Sequence, residues 1–418
     1  MRTRSASTSS PAPPLPAETS RRVSAARGLA RERGIPLYLA GGAVRDLLLH
    51  RPVVDVDLVV EQEAGGFARE LARRLEGTMT LHGRFGTAVI RSGSGERLDV
   101  ATARAESYPR PGALPRVRSG SIDEDLARRD FTINAMAIEI ARSRRPRLLD
   151  PFGGRADLSR GLVRMLHARS PSDDPTRAFR AVRYANRLGF RIERATRDWI
   201  LQAVRKGALA TVSGDRLRRE LALLFSEKNR AAAARQLASL GLAAAVHRAL
   251  RFDAAAARRL RSVEQLSSAT GLEPTWLVYL LAWMGEANES AADAIPARLN
   301  LPRRAAAIVR AWPGTRKAIA AATLASRSRA LTAIERLSDD EVLAAAASLP
   351  PASRARLLEA RRAAPGLRLS IRGSDLLAAG VSPGPAIGRA LSATLAALRD
   401  GVIRPEDELA FALEAARS

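Results

Sequence analysis

The sequence predicts an α+β protein, with a mixed α/β head over residues 35–165 and helices from there to the C-terminus. Two patterns predict it. From Leu37 to about Ile140 short β-rich runs mix with one or two helical stretches, whereas beyond about Asp173 Ala, Leu and Arg recur at helical spacing with almost no β-branched alternation. The length adds a third argument, because 418 residues that are 46% hydrophobic can bury more than one core.

In chain order, residues 1–34 are rich in Arg, Ser, Pro and Ala and read as a basic, low-complexity, disordered tail. The head then offers candidate strands at 37–40 (LYLA), 53–60 (VVDVDLVV), 87–92 (TAVIRS), 97–102 (RLDVAT) and 131–140 (FTINAMAIEI). The rest of the chain reads as helical, with proline-containing breaks near 295–302, 349–351 and 365–366 that suggest separate helical units. No apolar run approaches the roughly 20 residues of a bilayer span, and residues 1–34 lack the apolar core of a secretory signal, so a cytoplasmic location is expected.

Composition excludes several chemistries. Without cysteine there is no disulfide, thiolate nucleophile or cysteine-based metal site. Lysine occurs only at Lys206, Lys228 and Lys317, none in the glycine spacing of a P-loop, and His50, His82, His167 and His247 are scattered. Catalysis must then rest on carboxylates and arginines. The formal net charge of +25 points to a polyanionic partner, with RNA or DNA the leading candidate.

Carboxylates suited to that task stand in the second candidate strand. Alternation along 54–60 puts Val54, Val56, Leu58 and Val60 on one face and Asp55 and Asp57 on the other. At strand rise their Cα atoms are about 6.6 Å apart, near enough for both side chains to converge on Mg²⁺, a hard cation that keeps open positions for phosphate oxygens. Upstream, the 37–40 strand runs into Gly41-Gly42-Ala43-Val44-Arg45-Asp46. Paired glycines at a helix start allow backbone N–H groups to approach a triphosphate, and Arg45 is expected to meet its phosphates.

The run GGAVRDLLLHRPVVDVDLVV resembles the first motif of the class II tRNA nucleotidyltransferase and bacterial poly(A) polymerase family, with His50 where that family often has glycine. The resemblance implies a nucleotidyltransferase (polymerase β-like) head followed by a helical neck (166–235), body (236–365) and tRNA-binding tail (366–418). Asp99 stands where the superfamily often places a third catalytic carboxylate. Arg128-Arg129-Asp130-Phe131-Thr132-Ile133-Asn134-Ala135 is similar to the family's RRDFTxNA motif, which implies that Arg129, Asp130 and Asn134 contact the phosphate and ribose of the incoming nucleotide. Residues 150–158, DPFGGRADL, resemble a structural element that joins the head to the next domain.

At the start of the helical region, Asp173-Asp174-Pro175-Thr176-Arg177 leads into Arg180 and Arg183. Three arginines spaced by three share an arc of roughly 120° on a helix and can face one site. The stretch resembles the family's EDxxR motif, with Asp173 in place of glutamate. That implies base reading by Asp174 and Arg177, with Arg180 and Arg183 nearby. A carboxylate that accepts and an arginine that donates suit the amino donor and ring-nitrogen acceptor shared by cytosine and adenine. The implied partners are tRNA, CTP and ATP. The implied reaction is Mg²⁺-dependent addition of C and A to the tRNA 3′ end. A-adding, CC-adding or poly(A) polymerase activity are the alternatives within the class, and segment 102–121 resembles members that divide the labour. A non-catalytic RNA-binding protein is the alternative outside it.

Overall fold

The computed structural model describes residues 9–11, 14–82, 86–141, 146–363 and 368–417. Its contacts divide the chain into two units. One reaches to Val212 and includes Leu240–Ala245; the other comprises Ser213–Ser239 and the chain from Val246 onward. Across the expected 165/166 boundary, Leu162–Val163 forms a parallel two-stranded ladder with Arg191–Ile192, and Met165 N–H donates to Thr196 Oγ1 at 3.0 Å. Those bonds fasten the first neck helices to the head.

Among the described residues the first unit has twelve strands: β1 (Ser9–Pro11), β2 (Leu37–Ala40), β3 (Asp57–Val60), β4 (Thr78–His82), β5 (Thr87–Arg91), β6 (Arg97–Thr102), β7 (Arg104–Ser107), β8 (Arg116–Ser119), β9 (Ala137–Glu139), β10 (Arg147–Leu149), and the paired β11 (Leu162–Val163) and β12 (Arg191–Ile192). Eight form a mixed sheet in the order β1-β10-β9-β2-β3-β6-β5-β4, and β7 and β8 make a separate antiparallel hairpin. β2 is wholly buried, lies antiparallel to both β3 and β9, and β3 runs parallel to β6. The helices of this unit before Val212 are α1 (Ala17–Glu32), α2 (Gly42–Leu48), α3 (Ala64–Arg74), α4 (Ile122–Ala127), α5 (Gly154–Arg160), α6 (Ser170–Asp173), α7 (Thr176–Leu188) and α8 (Arg194–Arg205) among the described residues.

Three sequence expectations are corrected here. The disordered tail does not extend to residue 34: α1 buries Val23, Ala26, Leu29 and Ala30, and its Glu32 carboxylate meets Arg74 of α3 at 2.6 Å. The Arg- and Ser-rich composition masked an apolar stripe at helical spacing. Residues 1–8, 12 and 13 of that expectation lie outside the described residues. The 53–60 strand begins only at Asp57, and Val54 is 74% exposed, because pairing with β6 starts at Asp57 opposite Asp99. The 131–140 strand contracts to β9, preceded by a 3₁₀ turn at Thr132–Asn134. That turn is held by Asn134 N–H to Phe131 O at 2.9 Å and Ala135 N–H to Thr132 O at 3.0 Å.

The second unit is helical among its described residues. Its apolar centre includes the helix Trp276–Met284, buried from Leu277 to Met284, where Tyr279 stacks on Phe225 at 5.6 Å and Trp283 meets the same ring edge-on at 6.0 Å. Of the expected breaks, Pro296 lies inside the helix Glu289–Leu299, which stops at the left-handed Asn300. Pro302 and Pro351 do start helices. The break at 365–366 falls outside the described residues. No described helix is long and apolar enough to cross a membrane.

Candidate active site

The glycine pair ends β2 and opens α2. Gly41 adopts φ +72°, and a Cβ there would run into the Arg129 guanidinium, so only glycine fits without displacement. The seven-residue α2 ends near His50, whose φ of +54° is left-handed, a conformation that favours glycine.

Asp57 heads β3 and faces Asp99 across the parallel ladder to β6. Burial first, and then the charges of Asp99 and Asp55, push the Asp57 carboxyl above its ordinary range, against the opposing pull of Arg129 and Arg97. Asp55 lies exposed in the bend before the strand. Asp99 receives two hydrogen bonds from Arg97, from Nε at 2.9 Å and Nη2 at 2.8 Å. Among the described residues no group of three His, Cys, Asp or Glu side chains is gathered closely enough to hold a metal by itself. The donor chemistry nevertheless suits a hard cation. A divalent ion held beside Asp57 would relieve the crowded carboxylate charge there.

Asp57 lines a cavity of about 410 Å³ together with Gly42, Arg129, Asp130, Asn134, Asp174, Arg177 and Arg180. Each of these was singled out from the sequence. Arg45 and Arg183, expected at the same site, do not line it. The Arg45 guanidinium is buried and committed: Nε and Nη2 donate to the Asp46 carboxylate, both at 2.9 Å, and Nη1 donates to Asn134 Oδ1 at 2.8 Å. In this arrangement Asp46 pairs with Arg45, which in turn positions Asn134. Gly41, Asp55 and Asp99 also lie outside the cavity lining.

Through Asn134 the network continues inward. Asn134 Nδ2 donates to Asp130 Oδ1 at 3.1 Å, and Arg180 Nε donates to Asp130 Oδ2 at 2.7 Å. Burial raises the Asp130 pKa, but the charge of Arg180 and the hydrogen bond from Asn134 outweigh it and hold the carboxyl below its ordinary value. Asp130 is thus an ionised acceptor already oriented from two sides.

The helical motif is equally fixed. Asp174 Oδ1 accepts from Thr176 N–H at 3.0 Å and Thr176 Oγ1 at 2.7 Å, so it caps α7 as well as facing the cavity. Arg177 is buried at the first turn, where Nη1 donates to Ser170 Oγ at 2.8 Å and Nη2 to the Arg128 carbonyl at 2.7 Å and Tyr108 Oη at 3.3 Å. A lysine could not serve three such acceptors in one plane.

Sequence reasoning missed four contributors. Asp125 of α4 is 1% exposed, and each of its oxygens holds a different arginine: Oδ1 accepts from Arg128 Nη2 at 2.7 Å, Oδ2 from Arg129 Nη2 at 2.8 Å. The signal was available, because a Ser121-x-x-Glu124 capping box starts a helix that places Asp125 three and four residues before the two arginines. Glu106 and Tyr108 come from the β7–β8 segment, and no local pattern marks them. Glu106 Oε1 accepts from Arg128 Nη1 at 2.9 Å and its Oε2 from Tyr108 Oη at 3.0 Å; burial, chiefly, pushes the Tyr108 phenol up to about 12. Tyr184 lines the cavity with four guanidiniums, those of Arg45, Arg180, Arg183 and Arg187, within 5.3–5.9 Å of its ring centre.

The DPFGGRADL element works as joinery. Asp150 accepts from Gly154 N–H at 2.6 Å, and Asp157 accepts from Thr132 Oγ1 at 2.7 Å and Arg164 Nε at 2.9 Å. It thereby anchors the turn that carries Asn134.

Residues 37–164 match the model of the poly A polymerase head domain, and residues 189–252 match the probable RNA and SrmB-binding site of polymerase A. The A-adding tRNA nucleotidyltransferase of Halalkalibacterium halodurans is 47% identical over 193 residues, 46% of this chain and 45% of that protein. The chain spans less than half the length of the A-adding relatives it matches. The CC-adding tRNA nucleotidyltransferase of Deinococcus radiodurans is 33% identical over 380 residues, 91% of this chain and 89% of that protein. Among solved structures, the Thermotoga maritima CCA-adding enzyme complexed with tRNA is matched with a TM-score of 0.80 at 28% identity, over 97% of each chain.

Proposed function

Because the chain belongs to the class II tRNA nucleotidyltransferase family, matched nearly end to end by a relative 33% identical to it, we propose that it adds C and A residues to the 3′ end of tRNA from CTP and ATP. One observation carries this reading: a single cavity of about 410 Å³ joins the carboxylate of Asp57 to the Asp174 and Arg177 pair. A metal-binding acid and a base-reading pair in one space are what template-independent nucleotidyl transfer requires.

In this reading Asp55 and Asp57 hold Mg²⁺, with Asp99 as a further carboxylate nearby. The bound cation supplies charge neutralisation at the α-phosphate and lowers the pKa of the attacking 3′-hydroxyl. The chain's own residues orient the reactants. Arg129, pinned by Asp125 on one side, directs its guanidinium edge toward the triphosphate, with Gly42 allowing close backbone approach. Asp130 and Asn134 accept and donate at the ribose hydroxyls. Asp174 and Arg177 present an acceptor and a donor to the base, and uracil and guanine mismatch that order. Preorganisation by the Arg45–Asn134–Asp130–Arg180 network lowers the cost of arranging these groups during the reaction. A cytoplasmic location follows from such an activity.

A second reading is restriction to A addition. It is favoured by the 47% identity to the A-adding protein of H. halodurans over 193 residues, against 34% over 217 residues for the CCA-adding enzyme of Lactobacillus delbrueckii. The deciding experiment supplies labelled CTP and ATP, separately and together, to tRNAs ending before CCA, after the first C and after CC. Ordered addition of three nucleotides supports the first reading, and AMP addition only to the CC-ending tRNA supports the second. No incorporation into any of the three with Mg²⁺ present would overturn both.

A further inference from the structure

The second unit contains a cavity of about 340 Å³ that plays no part in the reading above. Its wall carries four arginines: Arg258 and Arg259 from the helix Ala254–Thr270, Arg316 from Arg303–Ala325, and Arg354 from Pro351–Ala363. Glu286 is the acid of the lining, with its side chain 83% exposed and its nearest approach to Arg316 at 3.9 Å. The wall is therefore strongly cationic.

A structural role accounts for part of this cluster. Arg259 Nε donates to the Ala282 carbonyl at 2.7 Å, near the end of the helix Trp276–Met284. Arg354 Nε donates to the Ala346 carbonyl at 2.9 Å and its Nη2 to the Leu349 carbonyl at 3.1 Å, at the end of the helix Asp339–Ser348. Those bonds satisfy helix C-termini and occupy one edge of each guanidinium. They leave Arg258 and Arg316 unexplained. Arg316 Nε is buried without a hydrogen-bond partner among the described residues, and so is the hydroxyl of Ser262, a residue only 7% exposed on the same wall. Burial, and then the repulsion of Arg316 and Arg258 against the pull of Asp253 and Glu286, lowers the Arg259 pKa. Gly285, at φ +53°, leaves the space that the Arg259 guanidinium fills, since a Cβ there would collide with it.

Like charges held together beside unpartnered buried donors are stabilised by an anion. We propose that this cavity is a second phosphate-binding site, formed by Arg258, Arg259, Arg316 and Arg354 and separate from the nucleotide cavity. Guanidiniums suit phosphate oxygens by geometry and charge, and the Ser262 hydroxyl supplies a neutral donor to the same group. The phosphate is either a phosphodiester of bound RNA or a free phosphorylated small molecule. The site does not rest on the catalytic reading, since phosphate binding here could persist in a protein that transfers no nucleotide.

The test uses the full chain, the double variant Arg259→Gln/Arg316→Gln, and a charge control, Arg303→Gln/Arg304→Gln, altered outside the cavity lining. Two probes are titrated into each: inorganic pyrophosphate by calorimetry, and tRNA by filter binding across a salt series. Loss of one pyrophosphate-binding event in the first variant alone, with tRNA affinity unchanged, identifies a small phosphorylated ligand. A roughly fivefold or greater loss of tRNA affinity in that variant, with the log–log salt slope reduced by about one relative to the control, identifies an RNA phosphodiester. Equal behaviour of the two variants with both probes overturns the proposal. If the double variant melts early, Arg258→Gln, altered at an exposed side chain, is read by the same criteria.

Discussion

Arg177 Nη2 donates to the backbone carbonyl of Arg128 at 2.7 Å, so the first turn of α7 is tied directly to the segment that carries Asp130. The residue proposed to read the base is thereby held in register with the residues proposed to hold the ribose. Arg177→Lys removes the planar fork and its contacts to Ser170 and Tyr108. Discrimination against UTP should fall by at least tenfold, with a stability loss of about 1–3 kcal/mol. Competitive incorporation of CTP and UTP, beside denaturant melts, measures both.

Asp125 supports two arginines with one buried carboxylate. Asp125→Asn should destabilise the fold by about 3–5 kcal/mol, because Arg129 loses its paired carboxylate and Arg128 keeps only Glu106. The Asp125 pKa is lowered on folding: burial raises it, but Arg129 and Arg128 more than offset that. A depressed folded value means the stabilisation is complete above the unfolded pKa of about 3.9 and is lost as pH falls through the folded one. The difference in unfolding free energy between wild type and variant should be largest at neutral pH and shrink below pH about 4. A difference that stays constant down to pH about 3 would contradict it.

Removing the acids at the strand entrance tests the proposed cation site. Asp55→Ala and Asp57→Ala should each reduce nucleotide incorporation by about 1,000-fold or more while leaving tRNA affinity within about twofold. Chelation of divalent metal should silence the wild type in the same way. Loss of tRNA binding in either variant would contradict the division between chemistry and RNA contact.

Asp174 has two duties, and two substitutions separate them. Asp174→Asn keeps a cap for α7 and should leave stability within about 0.5 kcal/mol, whereas Asp174→Ala should cost about 1 kcal/mol. Both should lose preference for C and A over U, because neither presents a carboxylate to the exocyclic amino group. Unchanged preference in both variants would exclude Asp174 from base reading.

Gly41→Ala probes the close approach beneath the nucleotide. The added methyl meets the Arg129 guanidinium at a left-handed φ, so KM for the nucleotide should rise and thermal stability should fall. A variant with wild-type KM would show that Arg129 relocates without consequence.

Much of the site was legible in the sequence because it is local. Gly-Gly-x-x-Arg, Asp-x-Asp, Arg-Arg-Asp and Asp-Asp-x-x-Arg each occupy one turn, strand end or helix start, and short-range geometry sets their spacing. Eight residues singled out that way line one cavity. What the sequence did not show were distant partners. Asn134, 89 positions away, accepts the Arg45 Nη1 hydrogen bond. Residues 17–32 looked disordered by composition, yet α1 is stabilised by packing on α3.

By itself, then, the sequence determined the α+β division, the acids and arginines available for chemistry, and the motifs that carry them, since periodicity and turn chemistry are properties of neighbouring residues. Tertiary structure alone decided which acceptors each arginine meets. It set Asp57 opposite Asp99, brought Glu106 and Tyr108 to the cavity wall, and gathered four arginines around a second cavity. A guanidinium's function depends on the acceptors it meets in space, and those are fixed only when segments far apart in the chain pack together.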